Sequence, residues 1–223
     1  HGDYHLIVLA PASVQEMADL TIKAFDLSDK YRVPAMLLAD GTMGQMMEPV
    51  EIPEVETQRI SKPWAVRGTK CEREHNIVNS LYLKPEILEQ TNFERFERYK
   101  RIEENECMYE SFMMEDAEYC VVAFGIAARV SKNAVVAARK AGIKVGLIRP
   151  ITLWPFPKDV LKEAAKQVKG FLSVELSMGQ MIEDVKLAID CAKPVELCNR
   201  TGGMIVTPEE VYAAIEKLAK ENK

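Results

Sequence analysis

Short apolar runs fenced by glycine and proline recur along this chain, and stretches with a helical period lie between them. The clearest example is the segment from Glu118 to Pro157. Tyr119 to Ala123 is apolar throughout and leads into Phe124-Gly125, while a second run, Ile143 to Ile148, follows Gly142 and ends at Arg149-Pro150. Continuous apolar runs with such boundaries predict strands buried on both faces. A helix of about 15 residues between two of them predicts a βαβ unit of a parallel sheet. The rhythm then continues with a predicted helix over 157–168, a strand over 170–174, a helix over 179–191 and a strand over 194–197. A last helix follows, with Thr207 as N-cap and Pro208 at its first position. Residues 118–223 thus predict a small, doubly wound, parallel-sheet α/β domain.

The first fifty residues repeat the pattern. His5 to Ala10 predicts a strand that stops at Pro11, and Ser13 with Glu16 predicts a capping box. The helix from Val14 to about Lys30 carries Val14, Met17, Ala18, Thr21, Ile22, Phe25 and Leu27 on one face. Pro34 introduces a second strand, Ala35 to Ala39, which ends in Asp40-Gly41. The loop beyond it, DGTMGQMMEPVEIPE, is rich in methionine (Met43, Met46, Met47). Such a loop reads either as an adaptable surface for a partner or cofactor or as packing under a domain junction. From Ile52 to Tyr82 no period survives, and the stretch predicts a linker. Its His75 sits among charged residues and reads as solvated. A long charged helix is predicted from Pro85 and Glu86 to about Met114, with Phe93, Phe96, Tyr99 and Ile102 as its packed seam.

Charge and cysteine usage narrow the functions. Over 223 residues, 29 basic against 34 acidic side chains leave a net charge of −5. With no basic patch interleaved by aromatics, this argues against nucleic acid as a partner. No apolar run approaches the roughly 20 residues of a membrane-spanning helix. The five cysteines include no C-x-x-C pair and there are three histidines, so free thiols in a reducing, cytoplasmic setting are expected, with no metal site. The chain begins HGDYHLIVLAP, already inside a strand, and reads as part of a longer protein.

Two late loops carry candidate chemistry. Glu175 and Ser177 fall at a strand's carboxyl end with Gly179 at a predicted helix start, and Arg200 to Gly203 occupies the equivalent place before the last helix. Glycines and helix N-termini there could approach a phosphate, or serve as tight turns with a subunit contact. Neither segment is a P-loop or a G-x-G-x-x-G.

Several motifs carry a family resemblance. GIKVGLIRPITLWPFP, with VVAFGIAARVSKNAV before it, resembles the C-terminal domain of transketolase-like thiamine enzymes. Through LIVLAPASVQEM, LLADGTMGQMMEPVE, VELSMGQMIEDVKLAI and NRTGGMIVTPEEV, the whole chain resembles the α subunit of the 2-oxoacid:ferredoxin oxidoreductases. WAVRGTK (64–70), HNIVNSLYL (75–83) and IRPITLWPFP are similar to the branched-chain, 2-oxoisovalerate-specific subgroup.

The resemblance implies three regions. Residues 1–52 would be the tail of a pyrimidine-type, thiamine diphosphate-binding domain, 53–117 a linker with the long charged helix, and 118–223 a transketolase C-terminal-like domain. It also implies an enzyme that decarboxylates a 2-oxoacid on thiamine diphosphate with magnesium. The acyl group would pass to coenzyme A, and two electrons through iron–sulfur clusters on partner subunits (β, γ and δ type) to ferredoxin. The family's activating glutamate and its Y-P-I-T-P motif are absent from this sequence. No catalytic residue is therefore assigned, and no cofactor is expected on this chain alone. Asp40, Gly44 and Gln45, with Met178, Gly179 and Gln180, are the residues expected to edge the reaction centre or a partner subunit, all on loops after strands. A homodimer is possible under this reading, and 2-oxoglutarate remains an alternative substrate. A 2-oxoacid dehydrogenase β-type subunit and a non-catalytic, flavodoxin-like binding or scaffold module are the competing identities.

Overall fold

A computed structural model of the chain describes residues 2–52 and 61–222. The first strand, β1 (Ile7–Leu9), is followed by helix α1 (Val14–Tyr31) and by β2 (Ala35–Leu37), which pairs with β1 in parallel. Ser13 caps α1, its Oγ accepting from the Glu16 N–H at 3.1 Å. The reciprocal half of the predicted capping box is missing. Glu16 Oε2 accepts instead from the Ala12 N–H at 2.8 Å, while its carboxylate is drawn to the guanidinium of Arg149. A charged donor outcompetes the neutral backbone amide of Ser13.

The first part of the predicted linker, residues 53–60, lies outside the described residues. Residues 61–84 hold turns without a helix or strand, and His75 is exposed. Helix α2 (Pro85–Asn105) ends well short of Met114. Glu106 closes it, its N–H donating to the Ile102 carbonyl at 2.9 Å. The carboxylate of Glu106 accepts from Lys30 Nζ and from the Tyr31 hydroxyl, each at 2.6 Å, which ties the end of α2 to the end of α1.

The expected four-residue seam is only half packed. Tyr99 and Ile102 are buried, whereas Phe93 is 61% and Phe96 46% exposed. Steps of three residues fall about 60° short of a full turn, so Phe93 and Ile102 end on opposite sides of the helix. Tyr99 and Ile102 pack on Ile7, Leu9, Leu20 and Leu27 as the core of the first unit.

The charged tail expected to prolong α2 is instead strand β3 (Tyr109–Phe112). It pairs antiparallel with β5 (Val145–Pro150), Tyr109 opposite Pro150 and Phe112 opposite Leu147. Between β3 and β5 in sequence run β4 (Tyr119–Ala123) and helix α3 (Gly125–Lys140). Helix α4 (Lys158–Gln167), β7 (Gly170–Glu175), α5 (Met181–Ala188), β8 (Val195–Asn199) and α6 (Pro208–Glu221) complete the second unit. Its sheet has the order β3-β5-β4-β7-β8 and is parallel except for β3.

The central strands are buried on both faces, which is why they read as unbroken apolar runs. Val121, Ala123, Leu147 and Leu172 pack toward α3 and α6 through Ala134, Val135, Val211 and Ile215. Cys120, Val122, Ile148 and Phe171 point the other way, onto Leu161 and Ala164 of α4 and Val185 of α5. Cys120 is fully buried and burial pushes its thiol pKa far up, so it acts as a small hydrophobe.

One strand crosses between the units. β6 (Thr152–Trp154) follows β5 directly yet pairs antiparallel with β1, giving the first sheet the order β2-β1-β6. The Ala10 N–H also donates to the Ile151 carbonyl at 2.8 Å. β2 forms the other edge of this sheet, where Met36 and Leu38 are exposed.

Candidate functional site

In the second sheet the connection from β4 leads outward to β5, and the next crossover returns past β4 to β7. The strand order reverses there, and in open α/β sheets ligands lie beyond the carboxyl ends of strands at such a switch point. The residues after β2, in the other sheet, end in the same space. A cleft of about 300 Å³ forms where they meet, with Leu38, Phe124, Leu153, Phe156 and Leu176 among its apolar walls and Asp40, Glu175 and Asp184 as its acidic groups.

Asp40 bridges the two units with one carboxylate. Its Oδ1 accepts from the Met43 N–H and its Oδ2 from the Ile126 N–H, each at 2.9 Å. Phe124 is the N-cap of α3 and offers no side-chain oxygen, so Asp40 supplies the cap from the other unit. Gly125 makes room for it. That residue has φ +58°, and a Cβ placed on it would lie 3.0 Å from Asp40 Oδ2.

Glu175 ends β7 and is 2% exposed. Its Oε1 accepts from Ser173 Oγ and the Ile182 N–H, both at 2.8 Å. Its Oε2 accepts from Ser177 Oγ at 2.7 Å and from the N–H groups of Gln180 and Met181 at 2.8 and 3.0 Å. Burial pushes the carboxyl pKa up, but the donations of Ser177, Ser173, Gln180 and Met181 outweigh it and hold the group below the usual range. Asp184, exposed on its outer side, shifts the other way, raised by burial of its inner side and then by Glu183 and Glu175.

A second charged cluster also joins the units. Arg149 is 3% exposed and donates through Nη1 and Nη2 to both oxygens of Glu16, and through Nε to Glu110, all at 2.8 Å. Lys132 pairs with Glu110 at 2.5 Å, and Arg129 with Glu48 at 2.6 Å. Burial pushes the Glu110 carboxyl up, and Lys132 and Arg149 more than reverse it.

The four helix N-termini that follow parallel strands are thereby filled by the protein's own oxygens. Glu48 accepts from the Val14 N–H of α1, Asp40 caps α3, Glu175 caps α5, and Thr207 with Glu210 forms a complete capping box on α6. An incoming phosphate at the loop of Ser177 and Gly179 would meet the Glu175 carboxylate. The helix there begins at Met181 rather than Gly179, whose φ of +97° belongs to the preceding turn.

Of the residues expected at an active-site edge, Asp40 and Gln180 line the cleft. Gly44 and Gln45 are exposed on a 3₁₀ turn (Met43–Gln45), Gly179 is half-buried, and Met178 is 80% exposed on the loop after β7. The methionine-rich loop divides its roles, with Met43 buried and Met47 98% exposed. Sequence reading missed Arg149, Glu16 and Glu110 as one cluster, because their contacts join positions more than thirty residues apart. It also missed Gly125, for which a glycine directly after an apolar strand was the available signal. Among the described residues no three His, Cys, Asp or Glu side chains stand where they would hold a metal ion.

The depressed carboxyls predict an acid-sensitive fold. Glu175 and Glu110 contribute stability that is complete above their unfolded pKa of about 4.3 and is lost as pH falls through their lower folded values. Urea midpoints are expected to be higher at pH 7 than at pH 3.5. A midpoint that rises on acidification contradicts the assignment.

Two family models match the chain. One described as "Pyruvate flavodoxin/ferredoxin oxidoreductase, thiamine diP-bdg" covers residues 2–111, and one described as "Pyruvate:ferredoxin oxidoreductase core domain II" covers residues 117–211. A ketoisovalerate oxidoreductase subunit, VorB, of Methanothermobacter marburgensis is 50% identical over all 223 residues, which span 63% of its own length. A 2-oxoglutarate synthase subunit, KorA, of the same organism is 31% identical over 96% of this chain and 64% of its length. The chain therefore spans under two thirds of the length of these relatives. Among solved structures, a 2-oxoglutarate:ferredoxin oxidoreductase from Magnetococcus marinus, bound to 2-oxoglutarate, coenzyme A and succinyl-CoA, superposes with a TM-score of 0.74 at 18% identity. That match covers 100% of this chain and 43% of the other. A split-gene transketolase, an inactive β4 tetramer, superposes with a TM-score of 0.57 at 15% identity, over 98% of this chain and 58% of its own. At these identities the structural likenesses establish the fold alone.

Proposed function

The chain belongs to the 2-oxoacid:ferredoxin oxidoreductase family, and from that premise we propose that it is the α-type portion of an enzyme that oxidatively decarboxylates a 2-oxoacid with coenzyme A. The favoured substrate is 2-oxoisovalerate. The observation that carries this reading is the identity of 50% to a ketoisovalerate oxidoreductase subunit, against 31% to a 2-oxoglutarate synthase subunit, each over nearly the whole chain. In the reaction the carbon–carbon bond to the carboxylate breaks, carbon dioxide leaves, and the acyl carbon is joined to the thiol sulfur of coenzyme A. The two electrons released are accepted by ferredoxin through clusters on partner subunits, in a cytoplasmic assembly. A homodimer of this chain fits the same reading.

Thiamine diphosphate, when bound in the assembled enzyme, supplies the electron sink. The N-termini of α1, α3, α5 and α6, which follow parallel strands, are already engaged by the protein's own oxygens. The role proposed for this chain is therefore structural support of the reaction centre, with Asp40, Gly44, Gln45, Met178, Gly179 and Gln180 on loops that edge it. The filled N-terminus of α5 also weighs against a flavodoxin-like nucleotide module.

The test is anaerobic purification of the native complex, followed by dye reduction with 2-oxoisovalerate or 2-oxoglutarate, each with coenzyme A. Reduction dependent on 2-oxoisovalerate and on a co-purifying cysteine-rich subunit is expected. Preference for 2-oxoglutarate would overturn the substrate assignment, and reduction with neither the functional reading. Tight binding of thiamine diphosphate to this chain alone, measured by calorimetry, would overturn the supporting role.

A further inference from the structure

We propose that Asp40 is a positioning residue that locks the loop after β2 to the first turn of α3, and so sets the cleft that both sheets share. The inference rests on the functional reading above for its effect on turnover, but not for its geometry. Three observations converge on it. The carboxylate spends one oxygen on each unit, on the Met43 N–H that opens the 3₁₀ turn and on the Ile126 N–H of α3. The Asp40 carbonyl also accepts from the Gly44 N–H at 3.2 Å, so the same residue anchors the turn by side chain and backbone. Gly125 is shaped to receive it, with φ +58° and a Cβ position only 3.0 Å from Oδ2, tighter than an ordinary contact.

No other group described at the start of α3 does this work. Phe124 caps by backbone conformation only, and the Ile126 N–H would otherwise be left without a partner at a position where the residue is buried. An unsatisfied donor there would let the helix start and the 3₁₀ turn part, and Leu38 and Phe124, which both line the cleft, would move with them. The lock is short, with a glycine on one side and a four-atom side chain on the other. It therefore fixes a distance rather than merely adding stability.

Asp40→Asn tests this in the assembled enzyme. The amide keeps one acceptor oxygen but turns an N–H₂ toward the second backbone N–H. With wild-type enzyme active, kcat is expected to fall at least fivefold while KM for the 2-oxoacid stays within twofold. Exchange of the Ile126 amide proton is expected to accelerate at least tenfold. Gly125→Ala is expected to lower kcat in the wild-type background through both the +58° φ and the approach to Oδ2, and to have a smaller further effect when combined with Asp40→Ala, where the methyl meets no carboxylate and only the backbone strain remains. Wild-type kcat in Asp40→Asn, unchanged Ile126 exchange, or single-variant effects that simply multiply in the double variant would each overturn the lock. A wild-type complex with no 2-oxoacid-dependent activity would overturn the functional reading instead, and the exchange measurement would still decide the lock.

Discussion

Arg149→Met is expected to lower the stability of the chain by about 3 kcal/mol, or roughly 6–12 °C in melting temperature for a protein of this size. The guanidinium is 3% exposed and makes three charge-assisted hydrogen bonds, two to Glu16 of the first unit and one to Glu110 of the second. Its removal leaves Glu16 with only the Ala12 N–H and Glu110 with only Lys132 as partners. Both carboxylates are about one third exposed, so water recovers part of their solvation, and the cost falls at the low end for a broken buried pair. Arg149→Lys is expected to recover little, because an ammonium cannot serve both carboxylates through a planar fork. Lys132→Met is the control. Its side chain is 36% exposed and shares Glu110, so its loss should cost under about 1 kcal/mol. Chemical denaturation of the three variants decides the matter. Equal losses in Arg149→Met and Lys132→Met would mean that the cluster is an ordinary surface network and not the joint between the units.

Glu175→Gln is expected to cost about 2–4 kcal/mol despite its near-identical volume. All five donors around the carboxylate point at two acceptor oxygens. An amide turns one of those oxygens into a donor, which leaves at least one backbone N–H facing another N–H in a buried site. The first turn of α5 and the loop over 176–180 should loosen together, which hydrogen exchange of Gln180, Met181 and Ile182 would register. The acid-sensitivity of the fold should also shrink, because a group whose folded pKa is depressed has been removed. A variant within 0.5 kcal/mol of wild type, with an unchanged dependence on pH, would show that the five contacts do not stabilise the charge.

Much of the fold was legible because its strands are short, wholly apolar and punctuated. β4, β5 and β7 stand between two layers of helices, so every residue is buried and the runs need no alternation to be seen. The edge strands were not legible for the opposite reason. β3 presents Tyr109 and Ser111 to solvent and follows a charged helix, so its four residues read as more of that helix. β6 is three residues long and its partner lies about 145 positions upstream, beyond any local pattern. The same locality explains the site. Asp40 and Gln180 were expected because they follow strands, a rule that needs no partner. Arg149 was passed over because its sequence context, the end of an apolar run before Pro150, shows nothing of Glu16 or Glu110. Glu16 itself was read through the nearest rule, the capping box, when a distant charge had claimed its carboxylate.

The strand that crosses between the sheets also limits how relatives could be spliced. A chimera with its junction near residue 117, where the two family models meet, would set β1 of one parent against Thr152 to Trp154 of the other. It would also mate Glu16 from one with Arg149 from the other, and Asp40 with a foreign Gly125. The sequence boundary between the halves is therefore not a neutral crossover point, and exchange by recombination keeps every contact only when both halves travel together.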